Sequence, residues 1–158
     1  MTNSDHALSF DLIGIKECQQ NRYPILFVDK ISEVVPGEYA IGHKNFSYNE
    51  WFFPSHYEDD PNVPGFIQVE ALVQVFLMTF LSFPAYKGMK TSFVSINNVR
   101  FRKKIIPGDR LDIKASLKSF KRGLAIGAVT SAVDGVDAAS AEFVVCIPDI
   151  MQSFKPVY

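Results

Sequence analysis

The chain has 158 residues, 47% of them hydrophobic, with 14 phenylalanines and a net charge of −1. That length and apolar content suit one domain with a full core and exclude extensive disorder. The charge balance carries no signal for nucleic acid or for a membrane surface. The two cysteines, Cys18 and Cys146, lie too far apart for a metal motif and read as inert thiols.

Met1 to Ser9 is a polar tail without the features of a secretory signal, so the cytoplasm is the expected compartment. The single domain spans residues 1–158, tail included. Phe10 to Cys18 reads as a short helix with Phe10, Leu12, Ile13 and Ile15 as its apolar residues. After the break at Asn21-Arg22-Tyr23-Pro24, the β-branched-rich run Ile25 to Ile31 predicts a strand. Pro36-Gly37 predicts a turn and Glu38 to Ser47 a second strand, making a hairpin.

A Pro-studded loop from Phe52 to Gly65 comes next and delivers one histidine, His56. It opens onto Phe66 to Phe83, an apolar run whose one charged residue is Glu70. Pro64 and Gly65 suit a helix start, and Pro84 stops the helix at its far end. Because the helix is apolar on nearly every side, it should be buried. Its length approaches the ~18 residues of a membrane span, but Gln68, Glu70 and Gln74 interrupt it and flanking anchors are missing. Glu70 and Gln74 share one face, one turn apart, whereas Gln68, Thr79 and Ser82 fall on another. Burial disfavours the charged form of a carboxylate, so Glu70 needs a partner or a task.

Thr91 to Arg102 predicts a third strand carrying Phe93, Ile96, Val99 and Phe101, with a bulge where the spacing slips between Phe93 and Ile96. Pro107-Gly108-Asp109 is a corner. Leu111, Ile113, Ala115 and Leu117 alternate with polar residues, as on a half-buried strand. Lys121-Arg122-Gly123 turns into a strand over Leu124 to Val133, and Asp134-Gly135 turns into the last, Ala138 to Ile147, ended by Pro148. The result is an α+β protein with one antiparallel sheet packed on a central helix.

From Asn21 to Pro148 the sequence resembles the FabZ-type 3-hydroxyacyl-[acyl-carrier-protein] dehydratases, which have the hotdog fold. The likeness rests on Arg22-Tyr23-Pro24-Ile25-Leu26-Phe27-Val28-Asp29-Lys30, on Asn49 to Phe53 followed by His56, Pro61 and Pro64-Gly65, and on Val69-Glu70-Ala71-Leu72-Val73-Gln74. Asn98 to Arg102 and Ile106-Pro107-Gly108-Asp109 continue it. The chain departs from the family's pattern with Asn21 in place of a His, Ser55 in place of a Gly, Tyr57-Glu58 where Phe-Pro is usual, and Asn62 in place of an apolar residue. Asp59 and Asp60 add charge to the same loop. A specialised relative is the expectation.

The chemistry suits these residues. Dehydration needs a base at the α-carbon, an acid for the departing hydroxyl and donors for the thioester oxygen. Imidazoles exchange protons near working pH, which suits His56 to the base's role. A desolvated Glu70 can hold the acid proton. The free amides of Gly65 and Phe66 at the helix start suit the thioester carbonyl, with Gln74 alongside as a further substrate contact. The resemblance implies that the two side chains meet across a homodimer interface, and that dimers can group into a trimer of dimers.

No cofactor is expected, since the substrate brings its own phosphopantetheine arm, and no metal, the acids Glu58, Asp59 and Asp60 reading as solvated. Arg100, Arg102, Lys103 and Lys104 form a basic cluster, either a plain solvated face or a contact for an acidic acyl carrier protein. His6 and His43 read as bystanders. Two alternatives remain open: a non-catalytic acyl-binding hotdog module, favoured by the altered loop, and a hotdog thioesterase, disfavoured by His56.

Overall fold

The computed structural model describes residues 7–154. Its elements run β1 (Leu8–Phe10), α1 (Leu12–Cys18), β2 (Lys30–Val35), β3 (Tyr39–Asn45), α2 (Phe52–His56), α3 (Gly65–Leu81), β4 (Ser92–Phe101), β5 (Arg110–Lys121), β6 (Leu124–Val133), β7 (Val136–Cys146) and α4 (Pro148–Ser153). Seven strands form one antiparallel sheet in the order β1-β2-β3-β5-β6-β7-β4. The sheet wraps α3, which packs on β3, β5, β6 and β7 and on α1. This is the hotdog arrangement expected from the sequence.

The centre of the fold is α3. Pro64 caps it without a side-chain bond, and its carbonyl accepts from Ile67 N at 3.1 Å and Gln68 N at 3.2 Å. Every residue from Ala71 to Leu81 is buried. Phe76 stacks on Phe143 at 6.0 Å and meets Phe80 edge-on at 5.8 Å. On β5, Leu111, Ile113 and Ala115 face this core, as their alternation predicts. The β5–β6 and β6–β7 hairpins close through Arg122-Gly123 and Asp134-Gly135, all four with positive φ, the geometry of two-residue turns that match strand twist.

Several elements depart from expectation. The run Ile25 to Asp29 is not a strand; β2 begins only at Lys30. From Ile25 to Phe27 the backbone is held by a helix side chain instead of a ladder: Gln74 Nε2 donates to Ile25 O at 2.8 Å, and Phe27 N donates to Gln74 Oε1 at 2.7 Å, while Asp29 N already donates to His43 O on β3 at 3.0 Å. A buried amide can satisfy one donor and one acceptor of a passing chain as a neighbouring strand would.

The polar tail ends sooner than expected, since Leu8–Phe10 pairs with β2; His6 and the rest of residues 1–6 lie outside the described residues. Helix α1 starts at Leu12, capped by Asp11, which accepts from Gly14 N at 2.9 Å. It buries Ile15 and Cys18, whereas its other apolar residues Leu12 and Ile13 are exposed. The loop before α3 contains α2, whose Phe52 and Phe53 are buried, and Pro148 begins the short α4 as well as ending β7. Both short helices escaped the periodicity argument because five or six residues hold too little repeat to show.

Candidate active site

Strand β4 is an edge of the sheet, paired with β7 on one side and free on the other. It carries the expected bulge, a register shift between Phe93 and Ser95, and a second between Asn97 and Arg100. Phe93, Val94, Ile96 and Phe101 are all exposed on it. Between this strand and the start of α3 runs an apolar trough of about 640 Å³, walled by Ile25, Trp51, Phe66, Val69, Ile96 and Val99. A second cavity, of about 380 Å³, follows α3 past Val73, Leu77 and Leu81 toward Met89 and Phe93. Glu70 lines both.

The carboxyl of Glu70 is held by one oxygen. Gln74 Nε2 donates to Oε1 at 2.8 Å and Asn21 Nδ2 donates to the same atom at 3.3 Å, leaving Oε2 without a partner among the described residues. Burial pushes the Glu70 carboxyl above the ordinary carboxylate range, and the Gln74 hydrogen bond opposes this more weakly. A proton on Glu70 therefore belongs on Oε2. Gln74 is fully buried, and its amide is committed to Ile25, Phe27 and Glu70. Expected as a substrate contact, it has both ends of its amide engaged within the fold, one of them on Glu70 Oε1.

His56 closes α2 and is half-buried. Its Nδ1 lies 3.1 Å from Asn62 O, and a carbonyl can only accept, so Nδ1 is the donor and in the neutral ring the lone pair falls on Nε2. Tyr57 lies against the imidazole, ring centroids 4.1 Å apart. Asn62 in turn donates through Nδ2 to Asp60 O at 2.7 Å. Within the single chain His56 lines neither cavity, and no hydrogen bond joins it to Glu70. Helix α3 leaves its first amides, those of Gly65 and Phe66, outside the bonds that Ile67 and Gln68 make to Pro64. The Phe101 ring closes over Gly65, where an added Cβ would meet Cζ at 3.0 Å.

The basic cluster is divided. Lys104 is taken by Asp60, with Nζ to Oδ2 at 2.6 Å, and Arg102 donates to Ser140 Oγ at 2.8 Å. Arg100 bonds only its neighbour's carbonyl, Val99 O. The acid that ties Lys104 comes from the run read as simply solvated. Among the described residues no group of three or more His, Cys, Asp or Glu could hold a metal ion. Asn21 escaped the sequence reading as a site residue, its signal being only a neutral donor where the resembled family carries a His.

The FabA-like domain model matches residues 20–142. A 3-hydroxyacyl-[acyl-carrier-protein] dehydratase FabZ of Clostridium novyi (strain NT) is 39% identical, the alignment covering 85% of this chain and 97% of that one. Its counterpart in Clostridium botulinum (strain Okra / Type B1) is 41% identical over 87% and 95%. The chain belongs to the FabZ family. Among solved structures, the dehydratase heterocomplex ApeI:P from Xenorhabdus doucetiae superposes with a TM-score of 0.75 over 90% of this chain and 98% of that one, at 13% identity. That likeness speaks for the shared fold. The FabZ assignment makes the chain an enzyme of the dehydratase class.

Proposed function

We propose that this protein dehydrates 3-hydroxyacyl thioesters carried on acyl carrier protein to trans-2-enoyl thioesters, as its FabZ relatives are named for doing. Glu70 carries the reading: a desolvated carboxyl, fixed through Oε1 and with Oε2 unpartnered, on a residue that lines two cavities. His56 Nε2 removes the proton from the α-carbon, the electron pair forms the double bond, and the 3-hydroxyl leaves with the Glu70 proton as water. The amides of Gly65 and Phe66 receive the charge that builds on the thioester oxygen. Each step is a proton transfer within reach of side chains, so the reading calls for no resident cofactor or metal. The phosphopantetheine arm arrives with the substrate.

The reading makes the protein a homodimer. A second copy laid against the free edge of β4 would extend the sheet, cover Phe93, Val94 and Ile96, and bring His56 of the partner subunit to the trough beside Glu70. A trimer of dimers is compatible with this arrangement. Arg100, Arg102 and Lys103 then form the rim for an acidic carrier protein, Lys104 contributing only when it leaves Asp60. The proposed compartment is the cytoplasm, where carrier-bound acyl groups are made; no helix among the described residues is long and apolar enough to cross a membrane.

The test is His56→Ala, followed by ultraviolet absorbance of the enoyl thioester with 3-hydroxybutyryl and crotonyl carrier substrates. A loss on the order of 10²–10⁴-fold with unchanged circular dichroism is expected for a general base. Retention of more than a tenth of the activity refutes the base assignment, and saturable binding without conversion in the wild type favours an acyl-binding module.

A further inference from the structure

Asp60, Asn62 and Lys104, which take no part in the proton transfers, hold the loop that carries His56. Tyr57 to Asp60 is a turn closed by Asp60 N on Tyr57 O at 3.3 Å, a long bond. Glu58 stands at its second position, where a proline would fix φ and glutamate leaves it free. The acceptor of the His56 Nδ1–H, Asn62 O, lies just beyond the turn. The Asn62 side chain reaches back, Nδ2 donating to Asp60 O at 2.7 Å, and Asp60 Oδ2 accepts from Lys104 Nζ at 2.6 Å. On the far side, Val63 N donates to Ile105 O at 2.9 Å and Val63 O accepts from buried Gln68 Nε2 at 3.1 Å. Both ends of the segment 60–63 are therefore tied to Lys104-Ile105, just past the end of β4.

The hydrogen bond that one ring nitrogen makes decides which nitrogen of an imidazole is left to act, and it can do so only if its acceptor is itself held. We propose that Asn62, Asp60 and Lys104 are positioning residues for His56: they fix the Asn62 carbonyl, which keeps Nδ1 as the donor and leaves Nε2 for the substrate. The proposal rests on the dehydratase reading for the role of Nε2. The Asp60–Lys104 pair is exposed, adds little to stability and weakens in salt. What the strap fixes is the place of one carbonyl, and a displacement of about 1 Å in a reacting group can cost about 10²-fold in rate.

The test uses the 3-hydroxybutyryl pantetheine thioester, so that loss of a carrier contact at Lys104 does not enter. Asn62→Val should lower kcat by about 10- to 100-fold with KM within about twofold of wild type. Nitrogen-15 NMR of the His56 ring should show Nδ1–H in the neutral wild-type ring and a mixture of the two tautomers in the variant. Lys104→Met should lower kcat by about 2- to 5-fold, and exchanging the pair as Asp60→Lys with Lys104→Asp should recover it. Tyr57 is already extended, at φ −137° and ψ 108°, as a residue before proline must be. Glu58→Pro should therefore stiffen the turn and return most of the rate to Asn62→Val. A kcat for Asn62→Val within about twofold of wild type, with the ring signal unchanged, overturns the proposal, and so does a rise in KM alone. Should Asn62→Val fold poorly, Asn62→Asp keeps the shape, lacks the donor and decides in its place. A folded wild type without turnover overturns the dehydratase reading instead, and the ring signals then decide the strap by themselves.

Discussion

Glu70→Gln keeps the shape and hydrogen bonding of the side chain while removing its transferable proton. Gln can still accept from Gln74 and Asn21, so a stability change within about 1 kcal/mol is expected for a carboxyl that is neutral when buried. Activity should fall by about 10²-fold or more, measured as enoyl thioester formation, because Oε2 would carry no acid proton. A variant keeping a good part of the rate would reduce Glu70 to a positioning role. The raised pKa of Glu70 also has a stability signature. The folded state binds its proton more tightly than the unfolded chain, so the contribution is complete below the ordinary glutamate value of about 4.3 and is lost as pH rises through the folded value. His43 works in the other direction. Burial and the Arg110 charge lower its pKa, and its Nδ1 is buried without a partner. Its contribution is present above the ordinary histidine value of about 6.5 and is lost as pH falls through the folded one. Thermal melts should therefore show Glu70→Gln flattening the decline on the alkaline side. His43→Gln should flatten the decline on the acid side, below about pH 6.5. An unchanged acid limb in His43→Gln would show that folding leaves the proton affinity of His43 unaltered.

The central element depends on how closely α3 approaches the sheet. Gly127 on β6 lies under Phe76, and an added Cβ would stand 2.4 Å from Phe76 Cε2 and 2.4 Å from Ser116 O. The position is closed to any side chain because one of the two obstacles is backbone. Gly127→Ala should cost about 1–3 kcal/mol as overpacking, read as a lowered denaturation midpoint. Phe76→Ala removes a ring wedged between Phe80 and Phe143 and should cost about 3–5 kcal/mol. Indifference to the first substitution would mean that α3 can lift from the sheet, and the Glu70 geometry would then lose its rigid base. The loop bearing His56 is held less firmly. Val63 N bonds Ile105 O at 2.9 Å, and Asp60 reaches Lys104, but that ion pair is exposed and such pairs contribute little.

At the scale of the whole molecule, the free edge of β4 and its exposed apolar residues form the face on which the proposed dimer is built. Ile96→Lys puts a charge at the centre of that edge; light scattering at micromolar concentration should then report a dimer for the wild type and a monomer for the variant. Activity should be lost with it, since Glu70 and His56 are not joined within one chain. A monomeric wild type would refute the shared site. Charge reversal of Arg102 with Lys103 should weaken turnover of carrier-bound substrate far more than of a short pantetheine thioester, and added salt should mimic it. Equal effects on both substrates would make the cluster an ordinary solvated face.

The amino-acid sequence by itself determined the buried helix, the β5–β6–β7 meander and the candidate pair. Each of these is written in local terms: an apolar run bounded by Pro64 and Pro84, strict alternation from Leu111, turn dipeptides such as Asp134-Gly135, and His56 and Glu70 set at a family's spacing. Only the tertiary structure decided that Ile25 and Phe27 are held by Gln74 and not by a strand, that the Gln74 amide is used up on Ile25, Phe27 and Glu70, and that Asp60 occupies Lys104. It alone left Gln19 Oε1 buried without a partner. The reason is physical. Periodicity and turn chemistry are properties of neighbours along the chain, whereas the partner of a buried polar group lies wherever the fold brings a donor or acceptor, here 47 and 49 residues away for Phe27 and Ile25.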